Sequence, residues 1–238
     1  MENVFTLDAP CFENMLFYKS CTIKKDAVTF ITGASGTGKT TLLRLLNGTV
    51  SPCDGGVFYE GKNVADLDTL ALRSEVVLVS QTAFLFDKTI RENFAEFYDY
   101  KGMTAPNDAE MLRFLHFCKL DFPLDADCTQ MSGGERQRVF LAVTLSFMPK
   151  VLMLDEPTSA LDEKTADEVL ESLKDFAKVN KMTLIIVSHA AELCRKYADF
   201  IINLDDIKEQ ATSTNAAETK GLPNVQTLNN RAKGEQNG

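Results

Sequence analysis

The 238-residue chain has no apolar run near the roughly 18 residues that a membrane-crossing helix needs. Its longest, such as LIIV at 184–187, have the length of buried strands. It has no excess of positive charge. The net charge of −9 argues against nonspecific binding to nucleic acid or anionic lipid, and no nucleic acid is expected as a partner. The opening MENVFTLDAP has neither the basic start nor the apolar core of a signal peptide. There is no CxxC. Cys11, Cys21, Cys53, Cys118, Cys128 and Cys194 are scattered without zinc-site spacing, and the expectation is six reduced thiols in a cytosolic protein. There is no internal repeat.

An apolar fraction of 45% suits one large domain, or two small ones sharing a core. Short β-rich runs alternate with helical patterns, which predicts an α/β fold built on a mainly parallel sheet. AVTFIT (27–32), VVLVS (76–80), VLMLD (151–155) and TLIIVS (183–188) are apolar on both faces, as central parallel strands are. GVFYEG (56–61) and NVFTLD (3–8) read as an antiparallel β edge. From Thr89 the pattern turns helical, as in DAEMLRFLHFCKL, which predicts a helical insertion over about 89–147. The folded domain is expected to span 1–204. The polar, small-residue-rich stretch 205–238 is expected to be a disordered tail.

GASGTGKT (33–40) fits the phosphate-loop pattern, follows a predicted strand and opens a predicted helix. Its glycines permit backbone conformations that turn successive N–H groups inward, and the helix dipole adds positive potential at the same point. The candidate phosphate-binding residues are Gly33, Ala34, Ser35, Gly36, Thr37, Gly38, Lys39, Thr40 and Thr41. Lys39 would reach the β- and γ-phosphates, and Thr40 would ligate Mg²⁺. A tight strand–helix turn without a ligand is the plain alternative. VLMLDEPTSALD ends a predicted strand in two acids. Asp155 sits where a metal-holding carboxylate belongs in an open α/β sheet, and Glu156 could polarise a water attacking phosphorus. Alone, the pair would read as a solvated acidic turn. In TQMSGGERQR, Ser132 and Glu135 have capping-box spacing, yet Gly133 and Gly134 each cost a helix roughly 1 kcal/mol against alanine.

With Gln81 in VVLVSQT, MSGGE at 131–135, SALD at 159–162 and His189 in IVSHA, the order of motifs resembles the ATP-binding subunit of ABC transporters over residues 3–204. The resemblance implies ATP and Mg²⁺ as cofactors, Glu156 as catalytic base, and Gln81 as a contact to Mg²⁺ and the attacking water. It implies that His189 bonds the γ-phosphate. Asp155 would hold the metal with Thr40 and Gln81. Ser132, Gly133, Gly134 and Glu135 would meet the nucleotide of a second ATPase subunit in a homodimer, with Asp162 in a loop crossing that interface. The plain alternatives are a surface amide at Gln81, a strand-end cap at His189 and a helix N-cap at Asp162. For the aromatic that the resemblance implies against adenine, Phe12 is the candidate, with a core residue as the plain alternative. Signature residues Met131 and Glu135 stand where leucine and glutamine are more usual. The partner implied is a separate integral-membrane permease, and the place implied is the cytoplasmic face of the cell membrane. AFLF (83–86) would pass motion to that permease, with core packing as the alternative. LSFMPKVLMLDEPTSALDE and VSQTAFLFDKTIRENF look most like ATPases of the FetA type, which implies iron export. Import of a small solute such as phosphate or an amino acid, and a soluble non-transport ATPase, are the alternatives.

Overall fold

The computed structural model describes residues 1–209. In chain order, β1 (Asn3–Phe12), β2 (Leu16–Tyr18) and β3 (Cys21–Lys24) precede β4 (Val28–Thr32), which enters the phosphate loop and α1 (Lys39–Leu46). Next come β5 (Asp54–Tyr59), β6 (Lys62–Asn63), α2 (Thr69–Glu75) and β7 (Val76–Val79). Three helices, α3 (Ile90–Tyr100), α4 (Asp108–Phe117) and α5 (Gly133–Ser146), lead to β8 (Val151–Asp155). After them come α6 (Glu163–Asn180), β9 (Thr183–Val187), α7 (Ala191–Tyr197), β10 (Phe200–Asn203), α8 (Leu204–Ile207) and β11 (Lys208–Glu209).

Two sheets form. The first is parallel throughout, in the order β10-β4-β9-β8-β7. Its centre is buried on both faces, every residue of β8 and β9 included, because helices cover one face and the second sheet with α1 covers the other. Alternation divides the strands: Leu152 and Leu154 join the core under α5 and α6, while Val151 and Met153 join the core around α1 and β1. The second sheet is antiparallel, in the order β11-β2-β1-β5-β6 with β3 also on β1.

Helix starts follow local chemistry. Thr89 with Glu92, Asn107 with Glu110, and Ser132 with Glu135 form complete capping boxes at α3, α4 and α5. Each satisfies two otherwise unpaired N–H groups. Asp162 caps α6 through Thr165 N–H at 3.0 Å. The buried stripe of α6, at Ala166, Val169, Leu170, Leu173, Phe176 and Ala177, has the 3–4 spacing of an amphipathic helix.

Two expectations are corrected. Order runs past residue 204: α8 follows, Lys19 N–H donates to the Ile207 carbonyl at 2.6 Å, and Lys208 pairs with Tyr18 on β2. Backbone pairing holds this segment, so it needs no apolar periodicity. The remainder of the expected tail, from 210, lies outside the described residues. Nor are all six cysteines free. Cys11 and Cys53 are joined in a disulfide, with Cα atoms 5.4 Å apart and Cys53 N–H donating to the Cys11 carbonyl at 2.7 Å. Antiparallel pairing of β1 with β5 sets Cys11 opposite Asp54 and so brings Cys53 within disulfide reach. Cys118, Cys128 and Cys194 are buried free thiols, and Cys21 is a half-buried one.

Candidate active site

The phosphate loop sits between β4 and α1 with φ of +142° at Gly33, +78° at Gly36 and +96° at Gly38. At Gly38 the need for glycine is doubly fixed. A Cβ there would lie 2.4 Å from the Tyr18 hydroxyl and 2.9 Å from Leu16, besides the unfavourable φ. Lys39 is 7% exposed, and its ammonium donates to the carbonyls of Gly33 at 3.0 Å and Ala34 at 2.9 Å. Thr37 Oγ1 also donates to the Ala34 carbonyl, at 2.9 Å. Ala34, Ser35 and Gly36 are exposed, and Thr41 is half-buried in the first turn of α1. The ammonium is thus already inside the curve of the loop, where anionic oxygens would compete for its protons.

The parallel strands bring the remaining groups together from distant sequence. Thr40 Oγ1 donates to Asp155 Oδ2 at 2.7 Å, joining the start of α1 to the end of β8. Gln81, just past β7, donates from Nε2 to Glu156 Oε2 at 3.2 Å. His189, just past β9, places Nε2 3.2 Å from Glu156 Oε1. Glu156 itself has φ of +51°, an uncommon conformation for a residue with a side chain. It is held there by its N–H donating to the Val187 carbonyl at 3.1 Å, and its own carbonyl accepts from Ser159 N–H at 3.2 Å. A carboxylate fixed on two sides in this way can take a proton from a water lying between it and an electrophile.

The signature segment 132–135 is occupied with itself. Ser132 N–H and Oγ donate to Glu135 Oε2 at 2.8 and 2.7 Å, and Glu135 N–H returns to Ser132 Oγ at 3.4 Å. The serine hydroxyl and its own N–H hold the Glu135 carboxyl below its ordinary pKa. The two glycines differ. A Cβ on Gly134 would lie 3.0 Å from both the Ala160 carbonyl and Leu161, so this glycine admits the 159–162 loop. A Cβ on Gly133 would meet nothing within 4 Å. Among the hydrogen bonds of the described residues, none joins 132–135 to the phosphate loop of the same chain.

Comparison with known proteins settles the family. The ABC transporter family profile matches residues 18–159. The probable iron export ATP-binding protein FetA of Escherichia coli is 34% identical over 198 residues, 83% of this chain and 85% of FetA. This chain belongs to the ABC transporter family, among its ATP-binding subunits.

Protein STAR1 of Oryza sativa is 36% identical over 180 residues, but there the chain spans only 52% of the relative's length. The phosphate import ATP-binding protein PstB of Campylobacter jejuni is 33% identical over 78% of both chains. Among solved structures, an ATP-binding cassette in a dimeric post-hydrolysis state bound to ADP and Pi superposes with a TM-score of 0.73. Its identity is 26%, over 87% of this chain and 99% of that one. Mainly parallel core, antiparallel edge and helices between β7 and β8 are therefore the ABC ATPase fold in this chain.

Within that fold, the group that Mg²⁺ would need is present: a threonine hydroxyl, a carboxylate 2.7 Å from it and a side-chain amide, all offering hard oxygen donors. Phe12 is half-buried against the α1 core at the end of β1, where the Phe12–Met15 turn closes through Met15 N–H to the Phe12 carbonyl at 3.1 Å. Three polar groups beside the site were not predicted. Tyr18 Oη donates to the Gly38 carbonyl at 3.0 Å, and burial pushes its pKa up to about 12. Asp205 Oδ2 accepts from Ala34 N–H at 3.1 Å, from a position expected to lie in the tail. Fully buried Asn93 accepts from Phe86 N–H at 2.8 Å and donates to the Phe86 and Thr89 carbonyls, pinning the segment that follows Gln81. A polar residue one place past the Thr89–Glu92 capping box, on the inward face of α3, was the available signal for Asn93.

Proposed function

We propose that the chain binds ATP with Mg²⁺ and hydrolyses it in a site completed by a second copy, driving a separate membrane permease. The observation that carries this reading is the Glu156 carboxylate, with one oxygen on Gln81 and the other beside His189. Lys39 and backbone N–H groups of the 33–41 loop bind the phosphates. Thr40 and Asp155, with Gln81, would hold Mg²⁺, which would supply positive charge against the phosphates. Glu156 accepts the proton of the attacking water while Gln81 and His189 keep its carboxylate oriented, and His189 can donate to a γ-phosphate oxygen. Ser132, Gly133, Gly134 and Glu135 form one face of a C2 dimer and meet the nucleotide of the partner copy, with Asp162 nearby in the crossing loop. ATP bonded by both copies favours closure and its hydrolysis releases it. Phe12 provides an apolar edge for adenine.

The permease surface is assigned to the aromatic chain around Phe84. This ring is 61% exposed and stacks edge-on to Phe86 at 5.2 Å, and Phe86 lies 5.4 Å from Phe97. AFLF therefore divides, with Leu85 in the core and Phe84 outside. No helix of the described residues is long and apolar enough to cross a membrane, and the proposed place is the inner face of the cell membrane, bound to the permease. Iron export is the cargo reading supported by the match to FetA. Phosphate import is the second reading, supported by the match to PstB.

The test is phosphate release by the purified chain. ATPase activity that needs Mg²⁺ and vanishes with chelator supports the reading. No turnover by the chain, alone or with a permease encoded beside it, sinks it. Co-purification with that permease, followed by uptake and efflux assays of iron and phosphate in vesicles, separates the cargo readings.

A further inference from the structure

We propose that Cys11 and Cys53 are a reversible redox modification site on the adenine edge of the nucleotide site, and that their oxidation tightens ATP binding. This rests on the reading of Phe12 as the adenine contact.

Cys11 is next to Phe12. Pairing of β1 with β5 loses its register between Asp8 and Cys11 and resumes with Cys11 opposite Asp54. Beyond that irregularity, the tip of β1 is tied to β5 by this pair, by the Cys53 N–H to Cys11 carbonyl bond and by the disulfide. The other side of the tip is anchored independently of redox state, because Tyr18 is buried and bonds the Gly38 carbonyl. What the disulfide controls is therefore the turn between them. Glu13 and Asn14 both have positive φ there, Met15 is 67% exposed, and Phe12 pairs across to Leu16.

The pair has the asymmetry of a redox couple: Cys53 is exposed, whereas Cys11 is 3% exposed. Asn14 Oδ1 lies 3.9 Å from Cys11 Sγ and 3.7 Å from Cys53 Sγ, so a reduced thiol finds an acceptor within the same turn. The oxidant class is a peroxide. The Cys53 thiolate attacks a peroxide oxygen, forming S–O and breaking O–O, and the departing hydroxide takes a proton to become water. The Cys11 thiolate then attacks the Cys53 sulfur, forming S–S and breaking S–O, and a second hydroxide leaves as water. Two thiols and one hydrogen peroxide thus give one disulfide and two waters, two electrons passing from the sulfurs to the peroxide. A dithiol reductant reverses the step by exchange at exposed Cys53. With the turn pinned, the Phe12 ring is held ready for adenine, and less order is lost on binding.

The test uses the full chain, reduced with dithiothreitol or oxidised with hydrogen peroxide. Alkylation and peptide mass spectrometry score the Cys11–Cys53 link, while calorimetry measures binding of ATP and of inorganic triphosphate. The expected result is a linked peptide only after oxidation, with ATP about three- to tenfold tighter. Triphosphate affinity should stay within about twofold, and Cys53→Ser should bind ATP like the reduced chain under both treatments. Failure to form the link overturns the proposal. So does equal ATP affinity in the two forms, or a triphosphate shift as large as the ATP shift. Phe12→Ala is the control for the underlying reading. Should it leave ATP affinity unchanged while oxidation still tightens ATP alone, Phe12 is not the adenine contact and the redox site stands. Should it weaken ATP while oxidation has no effect, the adenine reading stands and the redox proposal falls.

Discussion

Gln81 and Glu156, 75 residues apart in sequence, meet in a single hydrogen bond of 3.2 Å from amide Nε2 to carboxylate Oε2. The bond crosses from the end of β7 to the end of β8, and β9 closes the other side with His189. Orientation of Glu156 is therefore shared among three strand ends, and a defect in one partner should be felt through the other.

This makes the two side chains energetically coupled in catalysis. Gln81→Ala is expected to slow ATP turnover about 10- to 100-fold, and Glu156→Gln about 100- to 10,000-fold. Combined, they should cost little more than Glu156→Gln alone, because the amide has then lost the carboxylate it orients. A double-mutant cycle of kcat values reads this. Strict additivity would show that Gln81 acts through its place in the metal set and not through Glu156.

The Thr40–Asp155 bond predicts a different pattern. Thr40→Val keeps the volume but removes the hydroxyl that faces Asp155 Oδ2, on a carboxylate only 6% exposed. Loss of that partner should reduce stability by about 1–3 kcal/mol in denaturant unfolding. It should also abolish the increase in ATP affinity on adding Mg²⁺, whereas Thr40→Ser should restore both. An undiminished Mg²⁺ effect in the valine variant would remove Thr40 from the metal set.

These geometries show what was legible in the sequence and what was not. β4, β8 and β9 were readable because helices on one face and a sheet on the other leave them no polar side. β2, β3 and β10 have three or four residues each, too few for periodicity to register. The phosphate loop and the acids of β8 could be found because their chemistry is local. The Cys11–Cys53 pair and the reach of Asp205 to Ala34 depend on sheet register across 42 and 171 residues, which composition does not carry. Glu135 and Ser132 were legible as a capping box, while the packing of Gly134 against Ala160 and Leu161 depends on a loop 26 residues on and was not.

The capping box also has a pH signature. Hydrogen bonds from Ser132 lower the folded pKa of Glu135 below its ordinary value of 4.5. The carboxylate therefore contributes its stability fully above that value and loses it as pH falls through the lowered folded pKa. The group is near the surface, so the cap is taken at about 0.5–1 kcal/mol. Urea unfolding of the native chain and of Glu135→Gln should differ by that amount at pH 7 and converge as pH falls through the lowered folded pKa. A constant difference across the range would contradict the carboxylate as the source.

Gly133 and Gly134 give the sharpest separation between a folding role and a binding role. Alanine at 134 would bring its methyl to 3.0 Å from the Ala160 carbonyl and Leu161, so the 159–162 loop must move. That should cost about 1–3 kcal/mol of stability and disturb Asp162, the cap of α6. Alanine at 133 meets open space, and its better helix propensity should leave the chain as stable or up to about 1 kcal/mol more so. Stability alone would therefore favour alanine at 133. If the backbone there meets the nucleotide of a second copy, Gly133→Ala should still weaken ATP-dependent dimerisation in the Glu156→Gln background, read by light scattering. A Gly133→Ala chain that is stable, dimerises normally and hydrolyses ATP at the native rate would show that the open glycine plays no part in the composite site.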